Sequence, residues 1–189
     1  MKLQTTDFKK NMKIEIEGKI YMIVDFQFVN PGKGSAFVRS RLKNLETNQV
    51  LERTFKAGVE TVDVPDCEEK EVKFLYSDMD GFHFMDQENF ETISLNEDVV
   101  GDAKYYLQED IKLYILFHNA RAIAIELPNF VSLRVTQTDP GLKGDTASGG
   151  QKKAILETGL QVNVPLFIAE GELLKIDTRD GVYVERVKG

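Results

Sequence analysis

The chain has little of the chemistry that disulfides, metal sites and membrane spans require. Its 189 residues include one cysteine, Cys67, and two histidines, His83 and His118. A single cysteine excludes an intrachain disulfide and a cysteine-built zinc site, and two histidines are too few for a histidine metal cluster. The apolar runs are too short to span a bilayer, and the N-terminal residues lack the apolar core of a secretory signal. We therefore expect a cytoplasmic protein with no membrane partner and no cofactor.

The composition is that of an ordinary globular protein with a surplus of acidic residues. Apolar residues make up 42% and charged residues 29% of the chain, which excludes a disordered or low-complexity chain. The formal charge of −7 excludes a globally basic nucleic-acid binder. Residues 1–64 hold 11 basic and 8 acidic residues, residues 65–127 hold 5 and 15, and residues 128–189 hold 8 and 8. Either the two ends meet a partner with phosphates while the middle avoids it, or the middle is simply an acidic, well-solvated barrel.

Short apolar runs bounded by Gly, Asn, Asp or Pro dominate the pattern, and many short strands at this spacing predict small barrels or sandwiches. Pro65 and Pro128 mark two junctions. They divide the chain into segments 1–64, 65–127 and 128–189, each long enough for a small barrel of five strands. The predicted elements are strands at 13–17, 20–28, 36–45, 50–55, 72–76, 82–85, 92–95, 111–117, 122–127, 131–136, 160–164, 173–177 and 182–187, and a helix at 96–107 capped by Asn96.

A glycine-flanked lysine is the most informative local feature of the first segment. Lys33 lies between Gly32 and Gly34, just after Pro31, in the connection between two predicted strands. Proline fixes φ and glycine accepts positive φ, so the pattern predicts a turn with an ammonium group at its tip. It is not a P-loop, because no G-x-x-x-x-G-K-[ST] pattern is present. The turn is either a plain hairpin with an exposed lysine or a place where the backbone approaches a partner closely.

The strand after this turn alternates apolar and cationic positions. Cations at every second position suit a phosphate backbone. The alternative is a solvated outer face that is neutralised by Glu46 or Glu52. Period two places Ala36, Val38 and Leu42 on one face, and Phe37, Arg39, Arg41 and Lys43 on the other.

A glycine-rich stretch at 139–153 is too long for a tight hairpin. One interpretation is that it wraps a nucleic-acid strand through backbone amides, Thr146 and its lysines. The other is that it connects two strands and has no further role.

No catalytic set emerges from the sequence. The chain contains no HExxH and no G-x-S-x-G motif. Cys67 lies beside Asp66 and Glu68, which raise the pKa of a thiol and make it a poor nucleophile. His83 and His118 lie in or at the end of predicted strands, where we expect structural roles.

Several motifs together resemble one family, bacterial translation elongation factor P, and the resemblance covers essentially the whole chain. The motifs are PGKGxAF at 31–37, TDPGLKGDT at 138–146, K-x-A-x(4)-G-x(2)-V-x-V-P-x(2)-I-x(2)-G at 152–171, IDTR at 176–179 and YVERV at 183–187. The resemblance implies an all-β fold of three small β-barrels in an L-shaped, tRNA-like arrangement. An SH3-like (KOW-like) barrel at 1–64 would be followed by OB-folds at 65–127 and 128–189.

The resemblance implies a function on the ribosome without enzymatic activity. Members of the family bind between the peptidyl-tRNA and exit sites and relieve stalling at consecutive prolines, by positioning the acceptor end of the peptidyl-tRNA. The implied partners are the 70S ribosome, peptidyl-tRNA and mRNA, and we expect a monomer. Two alternatives stay open: the paralogue called elongation factor P-like protein, and a general OB-type single-strand RNA binder. A small-molecule enzyme has no supporting residues.

The resemblance also implies site residues. Lys33 would be the tip residue that enters the peptidyl-transferase centre. In several bacteria a modifying enzyme extends the matching lysine, for example by β-lysylation. Gly144, Asp145 and Thr146 would approach the exit-site codon of the mRNA. The other implied contacts are the tip-loop residues Pro31, Gly32 and Gly34, and the tRNA- or rRNA-binding residues Arg39, Arg41, Lys43, Tyr183 and Arg186.

Overall fold

The computed structural model describes residues 2–140 and 150–187. Over these residues the chain is almost entirely β, as the alternating pattern predicted. Two short 3-10 turns, at Thr5–Asp7 and Gly101–Tyr106, accompany one helical turn, α1, at Glu97–Val100. The strands are β1 (Lys2–Gln4), β2 (Lys13–Ile16), β3 (Lys19–Val29), β4 (Phe37–Asn44), β5 (Val50–Lys56), β6 (Thr61–Asp63), β7 (Cys67–Asp78), β8 (Gly81–Asp86), β9 (Thr92–Leu95), β10 (Lys112–His118), β11 (Arg121–Glu126), β12 (Phe130–Thr138), β13 (Gln151–Leu156), β14 (Gln161–Pro165), β15 (Leu173–Asp177) and β16 (Val182–Arg186).

These strands form three barrel-like sheets. The strand order is β1-β6-β2-β3-β4-β5 in the first sheet, β11-β10-β7-β8-β9 in the second and β14-β13-β12-β15-β16 in the third. Neighbouring strands in sequence are also neighbours in each sheet at β2-β3-β4-β5, at β7-β8-β9, at β10-β11, at β12-β13-β14 and at β15-β16. The pairs of the β2-β3-β4-β5 and β7-β8-β9 runs are antiparallel.

One compact unit comprises the residues up to Glu69 together with Leu116–Ala124, and it contains the first sheet. The ring of Phe8 meets that of Phe55 edge-on, with centroids 5.4 Å apart. Each fully buried apolar side chain contributes about 1.5–3 kcal/mol of hydrophobic stabilisation. The core of the sheet is formed by Phe8, Ile14, Tyr21, Ile23, Val38, Leu42, Phe55 and Val62.

The second compact unit comprises Lys70–Ile115 and the residues from Ile125 onward. In its first part, Phe74 and Phe84 pack with ring centroids 5.4 Å apart. In its second part the third sheet closes around a separate core, formed by Val131, Leu133, Val135, Ala154, Leu156, Val162, Val164, Ile168, Leu174 and Ile176. The segment boundaries 1–64, 65–127 and 128–189 stay a prediction.

The sequence pattern missed three strands and overestimated the helix. The missed strands are β1, β6 and β13; β1 and β6 have three residues each and pair with each other, which a local pattern does not show. The predicted helix cap is confirmed, because Asn96 Oδ1 accepts the backbone N–H of Val99 at 3.2 Å. The helix ends after one turn, because Gly101 adopts φ +52° and ψ −136°, which is outside the helical region.

Candidate nucleic-acid interface

The Lys33 turn joins β3 to β4 at the end of the hairpin. Its lysine is exposed and makes no hydrogen bond or salt bridge with another described residue. Gly34 adopts φ +116°, and a Cβ added there would lie 3.8 Å from Pro31 Cγ. Gly32 does not adopt positive φ, and an added Cβ would meet open space. The turn therefore needs glycine for its conformation at Gly34 only, and Gly32 leaves the flank of Lys33 open.

The strand β4 carries the predicted alternation. Val38 and Leu42 are buried, with 1% and 0% of their surface exposed, whereas Arg39 and Arg41 are exposed. Lys43 is half-buried. The inner face thus holds the core of the first sheet, and the outer face is cationic.

The cross-strand neighbours of Arg41 bear on the predicted neutralisation of this face. Arg41 pairs with Asp25 on β3 and with Glu52 on β5. Asp25 forms a salt bridge with Lys10, at 2.8 Å. Lys10, and to a smaller extent Arg41, lower the pKa of Asp25. Glu52 lies directly opposite Arg41, as the interpretation of a neutralised outer face required. Glu46 lies instead in the turn after β4, where its backbone N–H donates to Asn44 Oδ1.

The two candidate residues on β16, Tyr183 and Arg186, have different surroundings. Tyr183 packs against the core of the third sheet. Arg186 Nη1 donates to Glu172 Oε1 at 2.7 Å, and its guanidinium carbon lies 5.9 Å from the ring centroid of Phe167. The backbone N–H of Ala169, followed by Arg186, lowers the pKa of Glu172. Arg186 is therefore held at the surface, whereas Tyr183 contributes largely to packing.

Sequence reasoning missed two exposed aromatic residues, Phe130 on β12 and Phe167 in the turn after β14. Phe167 is 66% exposed beneath Arg186, and Phe130 is 43% exposed. Lys175 Nζ and Arg179 Cζ lie 4.9 and 5.7 Å from the Phe130 ring centroid. The available signal was a phenylalanine near a proline or an asparagine at the end of a strand, which does not distinguish an exposed ring from a core residue.

The predicted codon loop, Gly144, Asp145 and Thr146, lies outside the described residues. The flanking lysine Lys152 is described, and its Nζ donates to the carbonyl oxygen of Asp139 at 2.8 Å.

Cys67 and His83 have the surroundings of structural groups. Burial raises the pKa of the Cys67 thiol, and the charge of Asp66 adds to the effect. The imidazole of His83 is held through both nitrogens, with Ser94 Oγ at 2.8 Å from Nδ1 and Asp78 Oδ1 at 2.9 Å from Nε2. Within residues 2–140 and 150–187, no cluster of three or more His, Cys, Asp or Glu side chains has the arrangement of a metal site. The same residues include no helix that is long and apolar enough to cross a membrane.

Three family models match consecutive parts of the chain. They are described as the elongation factor P KOW-like domain (residues 4–60), the elongation factor P OB domain (67–125) and the elongation factor P C-terminal domain (131–186). Elongation factor P of Bdellovibrio bacteriovorus is 55% identical over 184 residues, which cover 97% of both chains. Elongation factor P of Natranaerobius thermophilus is 51% identical over 187 residues, which cover 99% of both.

A solved structure supports the same fold. It is described as eukaryotic translation initiation factor 5A from Methanococcus jannaschii, and it matches with a TM-score of 0.52 and 20% identity, over 67% of this chain and 94% of that one. The fold and these relatives define a translation factor and not an enzyme. The chain belongs to the elongation factor P family, so its general function is translation elongation.

Proposed function

We propose that this factor binds the ribosome between the peptidyl-tRNA and exit sites and promotes peptide-bond formation at consecutive prolines. In this proposal the Lys33 turn positions the acceptor end of the peptidyl-tRNA. The observation that carries it is the exposed Lys33 at the tip of the β3–β4 hairpin, with no ion-pair or hydrogen-bond partner among the described residues. An ammonium group without a protein partner retains its donors for phosphate or ribose oxygens.

The physical basis of the proposed function is the positioning of one reactant, the acceptor end of the peptidyl-tRNA. Proline is constrained both as nucleophile and as peptidyl donor, so the reacting atoms align poorly. Holding one reactant in place lowers such a barrier, because several kcal/mol can come from orientation alone. The ribosome carries out the chemistry, and Lys33 contributes a cation and hydrogen-bond donors rather than a covalent step.

The remaining contacts of the proposal follow from charge and position. The outer face of β4, with Arg39, Arg41 and Lys43, would contact phosphates of tRNA or rRNA. Tyr183 and Arg186 would contact RNA from the third sheet, and Arg186 is the better placed of the two because it is held at the surface beside Phe167.

The proposal also includes the mRNA, a modifying enzyme and the cellular compartment in which the factor acts. The loop with Gly144, Asp145 and Thr146 would approach the exit-site codon of the mRNA. A lysine-modifying enzyme would extend Lys33, for example by β-lysylation. We propose that the factor acts as a monomer in the cytoplasm.

The test is peptide yield in a reconstituted translation system on a message with three consecutive proline codons. The arms are no factor, the protein from its native host, Lys33→Ala and Ser35→Ala. Ser35 is a matched control, because it is exposed in the same turn and has no assigned contact. We expect rescue by the native protein and by Ser35→Ala, and none by Lys33→Ala, while a message without the proline run is translated equally in all arms.

Other outcomes identify the alternatives. Equal rescue by Lys33→Ala and the native protein would remove the assigned role of Lys33. No rescue by the native protein would point to the elongation factor P-like paralogue. Binding of isolated single-stranded RNA with a steep salt dependence, together with no rescue, would favour the general single-strand binder.

A further inference from the structure

A lysine on a different strand lies beside the cationic face of β4. Lys56, the last residue of β5, pairs directly with Phe37. Directly paired residues of an antiparallel pair lie on the same face, about 4.5–5.5 Å apart at Cβ. The preceding residue, Phe55, is buried, with 1% of its surface exposed, so alternation directs Lys56 outward. Lys56 is exposed and belongs to the same outer face as Arg39.

The turn between β4 and β5 holds this register. Asn44 Oδ1 accepts the backbone N–H groups of Glu46 and Thr47, at 2.9 and 3.0 Å. Asn48 adopts φ +58°, and its N–H donates to the carbonyl oxygen of Asn44 at 2.9 Å. A hairpin with a defined turn has a defined register, so the position of Lys56 opposite Phe37 is built into the fold.

Arg41 and Arg39 on the outer face have different cross-strand neighbours. Arg41 has a carboxylate opposite it on both sides, Asp25 and Glu52. Arg39 pairs with Gln27 and Thr54, which carry no charge.

Phe37 and Lys56 are also free of opposing carboxylates. Phe37 pairs with Val29 on its other side, and no salt bridge joins Lys56 to another residue within 2–140 and 150–187. Glu60 accepts the backbone N–H of Lys56 at 2.8 Å and so caps the turn after β5. At the end of the sheet next to the Lys33 turn, therefore, no carboxylate faces Arg39 or Lys56 from a paired strand, and Glu60 is bonded to the backbone of Lys56.

We propose that Lys56 extends the RNA-contact surface, so that Lys56 opposite Phe37 and Arg39 two residues along β4 hold the phosphate backbone of the RNA strand that the Lys33 turn engages. The inference rests on the proposed function. Diagonal neighbours on antiparallel strands lie about 7–8 Å apart, which lets the two cations reach different phosphates. The exposed part of the Phe37 ring, next to both cations, contacts the sugar or base, as aromatic residues do in single-strand sites.

The test is the salt dependence of binding to 70S ribosomes that carry peptidyl-tRNA and have an empty exit site. Each lost phosphate contact reduces the slope of log K against log salt by about 0.7–0.9. We expect Lys56→Ala to lower the slope by this amount and to weaken binding about fivefold at 0.15 M salt. Lys56→Arg should retain both the salt slope and the binding strength of the native protein. The matched control is Lys19→Ala, because Lys19 is an exposed cation at the other end of β3, about 30 Å along the strand from the turn.

A second readout identifies the partner. A photo-crosslinker attached at Lys56→Cys, in a Cys67→Ser background, should join the protein to RNA in the ribosome complex. An unchanged salt slope in Lys56→Ala, an equal loss in Lys19→Ala, or crosslinks to protein alone would overturn the inference. If Lys33→Ala still loses proline rescue in that case, the proposed function stands without this surface. If the native protein gives no rescue, the proposed function itself has failed.

Discussion

Gly81, the first residue of β8, allows a test of the packing between β8 and β9. It adopts φ +136°, and an alanine Cβ at this position would lie 2.4 Å from the carbonyl oxygen of Leu95. That distance is shorter than any ordinary contact, and the neighbour is backbone, so one of the two strands has to move. Gly159 in the same unit is a matched control, because it also adopts positive φ, +84°, but an added Cβ would meet nothing within 4 Å.

The expected magnitudes follow from these two environments. Positive φ destabilises an alanine by about 1–2 kcal/mol, and the stiffer unfolded chain offsets about 0.4–1 kcal/mol of this. Gly159→Ala should therefore lower the free energy of unfolding by about 1 kcal/mol. Gly81→Ala adds the strain of overpacking, about 1–3 kcal/mol, for a total of about 2–4 kcal/mol. Urea unfolding followed by circular dichroism measures the free energy of unfolding of both variants. Equal losses of stability in the two would refute the assigned contact with Leu95.

Two further predictions concern buried or paired polar groups. Ser40 Oγ is buried without a hydrogen-bond partner, so Ser40→Ala should raise the free energy of unfolding by about 1 kcal/mol; a clear loss in urea unfolding would mean that the hydroxyl has a partner. Hydrogen bonds from Arg179 lower the pKa of Asp177 from 3.8 to about 2. The stability from this carboxylate is present above its ordinary pKa and is lost as the pH falls through about 2. Acid unfolding should therefore be less pH-dependent in this range for Asp177→Asn, and an unchanged dependence would contradict the pairing.

Local sequence patterns predicted a large part of the fold. Short alternating runs located most strands, because period two follows directly from the geometry of a single strand. The same rule placed Val38 inside and Arg39 outside without knowledge of any neighbouring strand. The single Asn96 cap was also visible, since it bonds a group only three residues away.

The errors arose where an element depends on a distant partner. The strands β1 and β6 have three residues each, and they pair across about 60 residues of sequence: Lys2 with Asp63, for example. Runs this short carry no periodicity. Strand β13 begins within the last three residues of the glycine-rich stretch, and its polar first half, Gln151 to Lys153, hid the apolar residues that follow.

The sequence by itself determined the strand-rich class, the exposed lysine between glycines, the cationic face of β4 and, through its motifs, the family. Only the tertiary structure decided which groups stand opposite one another. Arg41 meets Asp25 and Glu52, while Lys56 stands beside Phe37. Cross-strand register is set by turns and by core packing between residues far apart in the chain, so the local alternation that reveals a face does not reveal its neighbours.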